Sequence, residues 1–157
     1  MERILYSDGD LRKISWIIQT SQTVISQNRK HTENYKDKIT KIQSKYVALH
    51  VALFWGIGTF NIKNEDSIKI KLDEEIIYQQ LKMKIPIQDE FIKNKDSIKI
   101  KLDKKIMYQQ LKTQISIQDE FTKNKIKFIQ SFIKQRKLKV EFELINSQNN
   151  LAKKLLK

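Results

Sequence analysis

The chain has 157 residues, 39% of them hydrophobic and 31% charged, enough for one core of ordinary size and outside the composition of disordered chains. It has no cysteine, which excludes disulfide staples, thiolate metal sites and a Cys nucleophile. The net charge is +13, concentrated at the end: residues 122–157 hold 10 basic and 2 acidic groups, against 9 and 5 in residues 1–60 and 12 and 11 in residues 61–121.

The N-terminal stretch MERILYSDGD mixes charge with apolar residues and does not resemble a signal peptide. A helix is expected from about Leu11 to Trp55, with Ser7 and Asp10 at capping-box spacing and Gly56 and Gly58 ending it. A grid stepping by three and four runs through Ile14, Ile18, Ile25, Asn28, Ile39, Ile42, Leu49 and Leu53, which predicts a coiled-coil seam and a homo-oligomer. The polar stretch 26–38 interrupts the grid, so the segment is one continuous helix or an αα-hairpin. The run YVALHVALFWGIGTF, 46–60, is short for a bilayer span, and no membrane span is expected.

Residues 62–91 and 92–121 are copies of one another, identical at 23 of 30 positions. In DSIKIKLD, 66–73, Ile68, Ile70 and Leu72 alternate with Lys69 and Lys71, the pattern of a strand with a lysine face. Ile77, Leu81 and Ile85 then step by four, a helix stripe. Each copy is thus a β-α unit, and two successive units would place the lysine-faced strands side by side.

TKNKIKFIQSFIKQRK, 122–137, predicts an amphipathic helix, with Phe128, Ile129, Phe132 and Ile133 opposite the lysines. KLKVEFELI, 137–145, alternates as a further strand, and SQNNLAKKLLK ends the chain as a short helix or tail. The expected fold class is α+β. A long helical segment, 1–60, precedes a small domain, 61–157, with about three strands, helices and the duplicated unit.

Enzymatic signatures are missing. His31 and His50 lie 19 residues apart, too far on one helix to share an ion; His31 is expected in solvent and His50 packed. GIG at 56–58 lacks the spacing of a phosphate loop. Asp66 and Asp73 flank one strand and cannot chelate together. The expectation is a non-enzymatic intracellular protein, cytoplasmic or nucleoid/nuclear, without cofactor or metal. It would contact nucleic-acid phosphates through Lys123, Lys127, Lys134, Arg136, Lys137 and Lys139, with Lys99 and Lys101 on the second copy's strand. The alternatives are a structural subunit of a larger complex and a peripheral membrane protein using 46–60 and 122–137.

Overall fold

The computed structural model describes residues 1–84 and 120–157. Strands β1 (Glu2–Gly9), β2 (Lys13–Gln19) and β3 (Val24–Lys30) come first, followed by helix α1 (Lys41–Gly58), strand β4 (Ser67–Leu72) and helix α2 (Glu75–Lys84). Helix α3 (Glu120–Gln135), strand β5 (Lys139–Leu144) and two 3₁₀ turns, Ser147–Asn149 and Leu151–Leu156, complete the chain.

The long N-terminal helix is thereby overturned: residues 2–30 are three antiparallel strands, and helix begins only at Lys41. Local side chains explain why. The Asp10 carboxylate accepts from the amides of Arg12 and Lys13, 2.8 and 2.7 Å, and so closes the β1–β2 turn instead of capping a helix. Thr20 Oγ1 closes the β2–β3 turn in the same way, accepting from Gln22 and Thr23. The true cap is Thr40, in a reciprocal capping box with Gln43.

The five strands form one sheet in the order β3-β2-β1-β4-β5. β1 pairs antiparallel with β2 and parallel with β4, and β4 pairs parallel with β5. Register puts Leu5, Ile14, Trp16, Ile18, Ile68, Ile70 and Leu72 into one core with Tyr46, Leu49 and Leu53 of α1. α3 lies against α1, and the segment Leu151–Leu156 covers β1 and β2 on the other face, where Ile17 is buried. The core therefore draws on residues from both sides of position 60.

The expected seam does not exist as a surface. Ile14 and Ile18 lie on β2, Ile25 and Asn28 on β3, Ile39 before α1, and Ile42, Leu49 and Leu53 on α1. Four of them, Ile14, Ile18, Leu49 and Leu53, are core residues, while the exposed Asn28 donates to the Leu155 carbonyl at 3.3 Å. The apolar run 46–60 falls mostly in α1 and packs into the core. Among the described residues no helix is long and apolar enough to cross a membrane.

Within the first copy, Ser67–Leu72 is a strand and Glu75–Lys84 a helix, as their periods predict. β4 is bonded to β1 on one edge and β5 on the other, so it cannot take a second lysine-faced strand as neighbour. Glu141 and Glu143 of β5 stand across from Lys69 and Lys71 instead, and Lys71 Nζ reaches Glu143 Oε2 at 2.6 Å. The second copy's strand, with Lys99 and Lys101, lies outside the described residues.

Candidate functional site

Parallel strands β1 and β4 end side by side, and each delivers a carboxylate to the same point. Asp8 is the penultimate residue of β1, and Asp73 follows β4. The C-terminal edge of adjoining parallel strands is where α/β sheets place their ligand sites. Here a side chain of the protein fills that position. Lys45, from the second turn of α1, puts its Nζ 3.1 Å from Asp8 Oδ1, 2.9 Å from Asp73 Oδ1 and 3.4 Å from Glu74 Oε1. The Lys45 side chain is 9% exposed and the two aspartates 3% each.

Gly9 allows this approach. A Cβ at Gly9 would sit 2.7 Å from the Ser44 carbonyl oxygen, so only glycine lets β1 run this close to α1. The Gly9 amide also donates to Asp8 Oδ1 at 2.8 Å. The chain end closes the cluster from the other side: Asn150, 1% exposed, donates to Asp73 Oδ2 at 3.2 Å and to the Ser7 carbonyl at 3.0 Å, and its Oδ1 accepts from Ala152 N. Ser15 Oγ donates to the Ala152 carbonyl at 2.6 Å, which fixes the same segment to β2.

Burial pushes the Asp8 carboxyl above the usual aspartate range, with Lys45 opposing and the Asp73 charge adding to the shift. Burial acts to lower the Lys45 ammonium, but its hydrogen bond to Asp73 and the charges of Asp8 and Asp73 outweigh that and leave it raised. The lysine is thus a fixed cation at neutral pH. Among the described residues no group of three or more His, Asp or Glu is arranged to hold a metal ion. Asp66, at the far end of β4, belongs to a separate network: it accepts from Arg3 Nε at 2.6 Å and from the Lys63 amide at 2.7 Å.

The expected cationic residues fall on α3, the turn after it and β5. Lys127, Lys134, Arg136, Lys137 and Lys139 are exposed; Lys123 is half-buried and pairs with Glu120 at 3.8 Å. Spacings of four and seven align Lys123, Lys127 and Lys134 along one side of α3. No Asp or Glu occurs between Glu120 and Glu141, nor between Asp37 and Glu65, so α1 has no carboxylate of its own and α3 carries its cations with Glu120 as its single acidic residue.

The opposite side of α3 meets α1 through aromatic rings. His50 stacks on Phe128 at 4.9 Å and on Phe132 at 5.6 Å, and Phe54 contacts Phe132 at 6.1 Å. Lys125 Nζ lies 3.2 Å from His50 Nδ1, 5.3 Å from the Phe121 ring centre and 6.0 Å from that of Phe128. Burial, aided by the Lys125 charge, lowers the His50 imidazole to about 4, so it is neutral at physiological pH. His50 is packed, as expected. His31 is not in solvent: it is 7% exposed, with Nε2 2.7 Å from Ser44 Oγ and 3.1 Å from the Asp10 carbonyl.

Sequence reasoning missed Asp8, Lys45 and Asn150. The one available signal was SDGD, a carboxylate beside a glycine at the end of the alternating stretch RILYS.

No family model and no curated protein matches the chain. Solved structures do. The N-terminal RNase H domain of a Mycobacterium tuberculosis protein, solved as a fusion with maltose-binding protein, matches at TM-score 0.62 and 12% identity, over 99% of this chain and 95% of that one. RNase H1 from the halophilic archaeon Halobacterium salinarum matches at 0.63 and 15%, over 99% and 98%. LC11-RNase H1, solved in complex with an RNA/DNA hybrid, matches at 0.62 and 17%, over 98% and 92%. At these identities the likeness is one of architecture: the five-stranded mixed sheet with α1 and α3 on one face is an RNase H-like fold.

Proposed function

We propose that this protein binds nucleic acid without cleaving it, holding the phosphate backbone with the cations of α3, its C-terminal turn and β5. The observation that carries the reading is the charge pattern of residues 121–140, with seven cations and no carboxylate, five of the cations exposed. Such a surface gains affinity by releasing counterions from phosphates, independently of base sequence. The buried ion-pair cluster supports the non-catalytic part. Lys45 occupies the centre of the strand-end carboxylates, and a divalent cation would have to displace a buried ammonium from two aspartates. One of the similar folds was solved with an RNA/DNA hybrid, which makes a hybrid duplex the first ligand to test.

The test is fluorescence anisotropy with a labelled hybrid duplex, alongside a cleavage assay in Mg²⁺ and in Mn²⁺. Five phosphate contacts give a log–log salt slope near −4.5, a loss of roughly 500-fold in affinity between about 50 and 200 mM salt. Replacing Lys127, Lys134, Arg136 and Lys137 together by alanine should flatten the slope towards −1. Absence of binding, or binding insensitive to salt, removes the phosphate reading. Hybrid cleavage that Asp73→Asn abolishes removes the non-catalytic one.

A further inference from the structure

The rings between α1 and α3 are more exposed than a helix interface requires. Phe54 is 65% exposed and Phe128 50%, yet both belong to one continuous series of contacts, Phe128–His50–Phe132–Phe54. Exposed aromatic residues of this kind usually mark a surface that something covers. Charge narrows the choice of partner. Neither helix contributes a carboxylate to this side; the charge beside the rings is Lys125. Among the described residues no carboxylate pairs with Lys125, whose ammonium lies over ring faces instead. Flat apolar rings bordered by a cation that no described carboxylate opposes match the two halves of a nucleotide, a π-faced base and a phosphate.

We propose that this aromatic face binds single-stranded nucleic acid, with unpaired bases stacking on Phe54 and Phe128 along the His50–Phe132 ladder while Lys125 contacts the phosphates. A duplex cannot use the rings, because its bases are already stacked on one another; a single strand can. The inference rests on the nucleic-acid reading above and adds a second mode of contact to it, on a different side of α3. Because every base offers a π face, the site selects unpaired strands rather than a sequence.

The discriminating probe is a thymidine oligonucleotide of about 15 nucleotides against an abasic strand of the same length, which keeps the phosphates and lacks the bases. The full chain should bind the thymidine strand about tenfold tighter for each stacked base. The double variant Phe54→Ala/Phe128→Ala should bind both strands alike and keep the wild-type affinity for the hybrid duplex. Circular dichroism melting confirms that it is folded, as the exposure of both rings leads one to expect. Equal binding of the two strands by the wild type overturns the stacking face but leaves phosphate binding intact. If neither strand nor duplex binds, both readings fall together. If the double variant still prefers the thymidine strand but loses binding to anionic vesicles, or loses self-association in sedimentation, the face belongs to a lipid surface or a second copy and the proposal is wrong.

Discussion

Replacing Lys45 by methionine keeps the length of the side chain and removes its charge. In the wild type one ammonium lies within 3.1 Å of both Asp8 and Asp73, each 3% exposed. Without it two buried carboxylates face one another, and among the described residues Asn150 and the Gly9 amide donate to them. Removing one member of a buried ion pair costs about 3–5 kcal/mol. For a chain of this length each kcal/mol lowers Tm by about 2–4 °C, so Lys45→Met should melt roughly 6–20 °C below wild type at pH 7. The pH dependence is the sharper test. Asp8 already has a raised folded-state value, through burial first and the Asp73 charge besides, and loss of Lys45 raises it further. A carboxyl raised in the folded state binds more protons there than in the unfolded chain. Its contribution is therefore full below the ordinary aspartate value of about 3.9, and is lost as pH rises through the folded value. The gap between variant and wild type must shrink as the pH is lowered from 7 to 5, and adding Asp8→Asn to Lys45→Met must recover part of the loss at pH 7. Urea unfolding followed by circular dichroism at both pH values measures this. A variant as stable as wild type at pH 7, or a gap that widens in acid, would refute the account of Lys45 as the counter-charge that holds β1, β4 and α1 together.

Asn150→Ala removes a 1% exposed amide that bonds Ser7, Asp73 and Ala152, and should cost about 1–3 kcal/mol in urea unfolding. Gly9→Ala sets a methyl group 2.7 Å from the Ser44 carbonyl oxygen; neither backbone can yield cheaply, so a loss of about 1–3 kcal/mol or more is expected in the same assay. The His50 imidazole should titrate near pH 4 when followed by NMR. Because its folded value lies below the ordinary one of about 6.5, it contributes stability that is lost as pH falls through that window, and His50→Phe should flatten the acid limb of the stability curve.

The strand Ser67–Leu72 and the helix Glu120–Gln135 were legible because each is buried on one face only, and their periods of two and 3.6 survive in the sequence. β2 was not. Its Ile14, Trp16 and Ile18 face α1, while Ile17 lies under the C-terminal segment, so a strand buried on both sides reads as an unbroken apolar run. Its residues then fall by coincidence on a three-and-four grid with those of α1, and the turns between strands are closed by Asp10 and Thr20 rather than by Gly or Pro pairs. The candidate site was hidden for a different reason. Asp8, Lys45, Asp73 and Asn150 come from four elements spread over most of the chain, and no local spacing links them. The cations of α3 were visible because they are local, as was the packing of His50.

Occupation of both edges of β4 also has a bearing on how the chain reaches this fold. The sheet holds one socket for a strand of this sequence, and the chain encodes two candidates for it. Ile68, Ile70, Leu72, Asp73, Gln80 and Leu81, which seat the first copy, recur as Ile98, Ile100, Leu102, Asp103, Gln110 and Leu111. Hydrophobic complementarity alone barely separates the two, since among the first copy's described core residues only Ile77 differs, and Met107 replaces it. Charge does separate them. Where the first copy brings Glu74 to within 3.4 Å of the Lys45 ammonium, the second would bring Lys104, a like charge at the one buried cation of the site. Of the three glutamate-to-lysine differences, at 65/95, 74/104 and 75/105, the one at 74/104 would thus act as an address label, favouring the first copy over its twin at this place in the sheet.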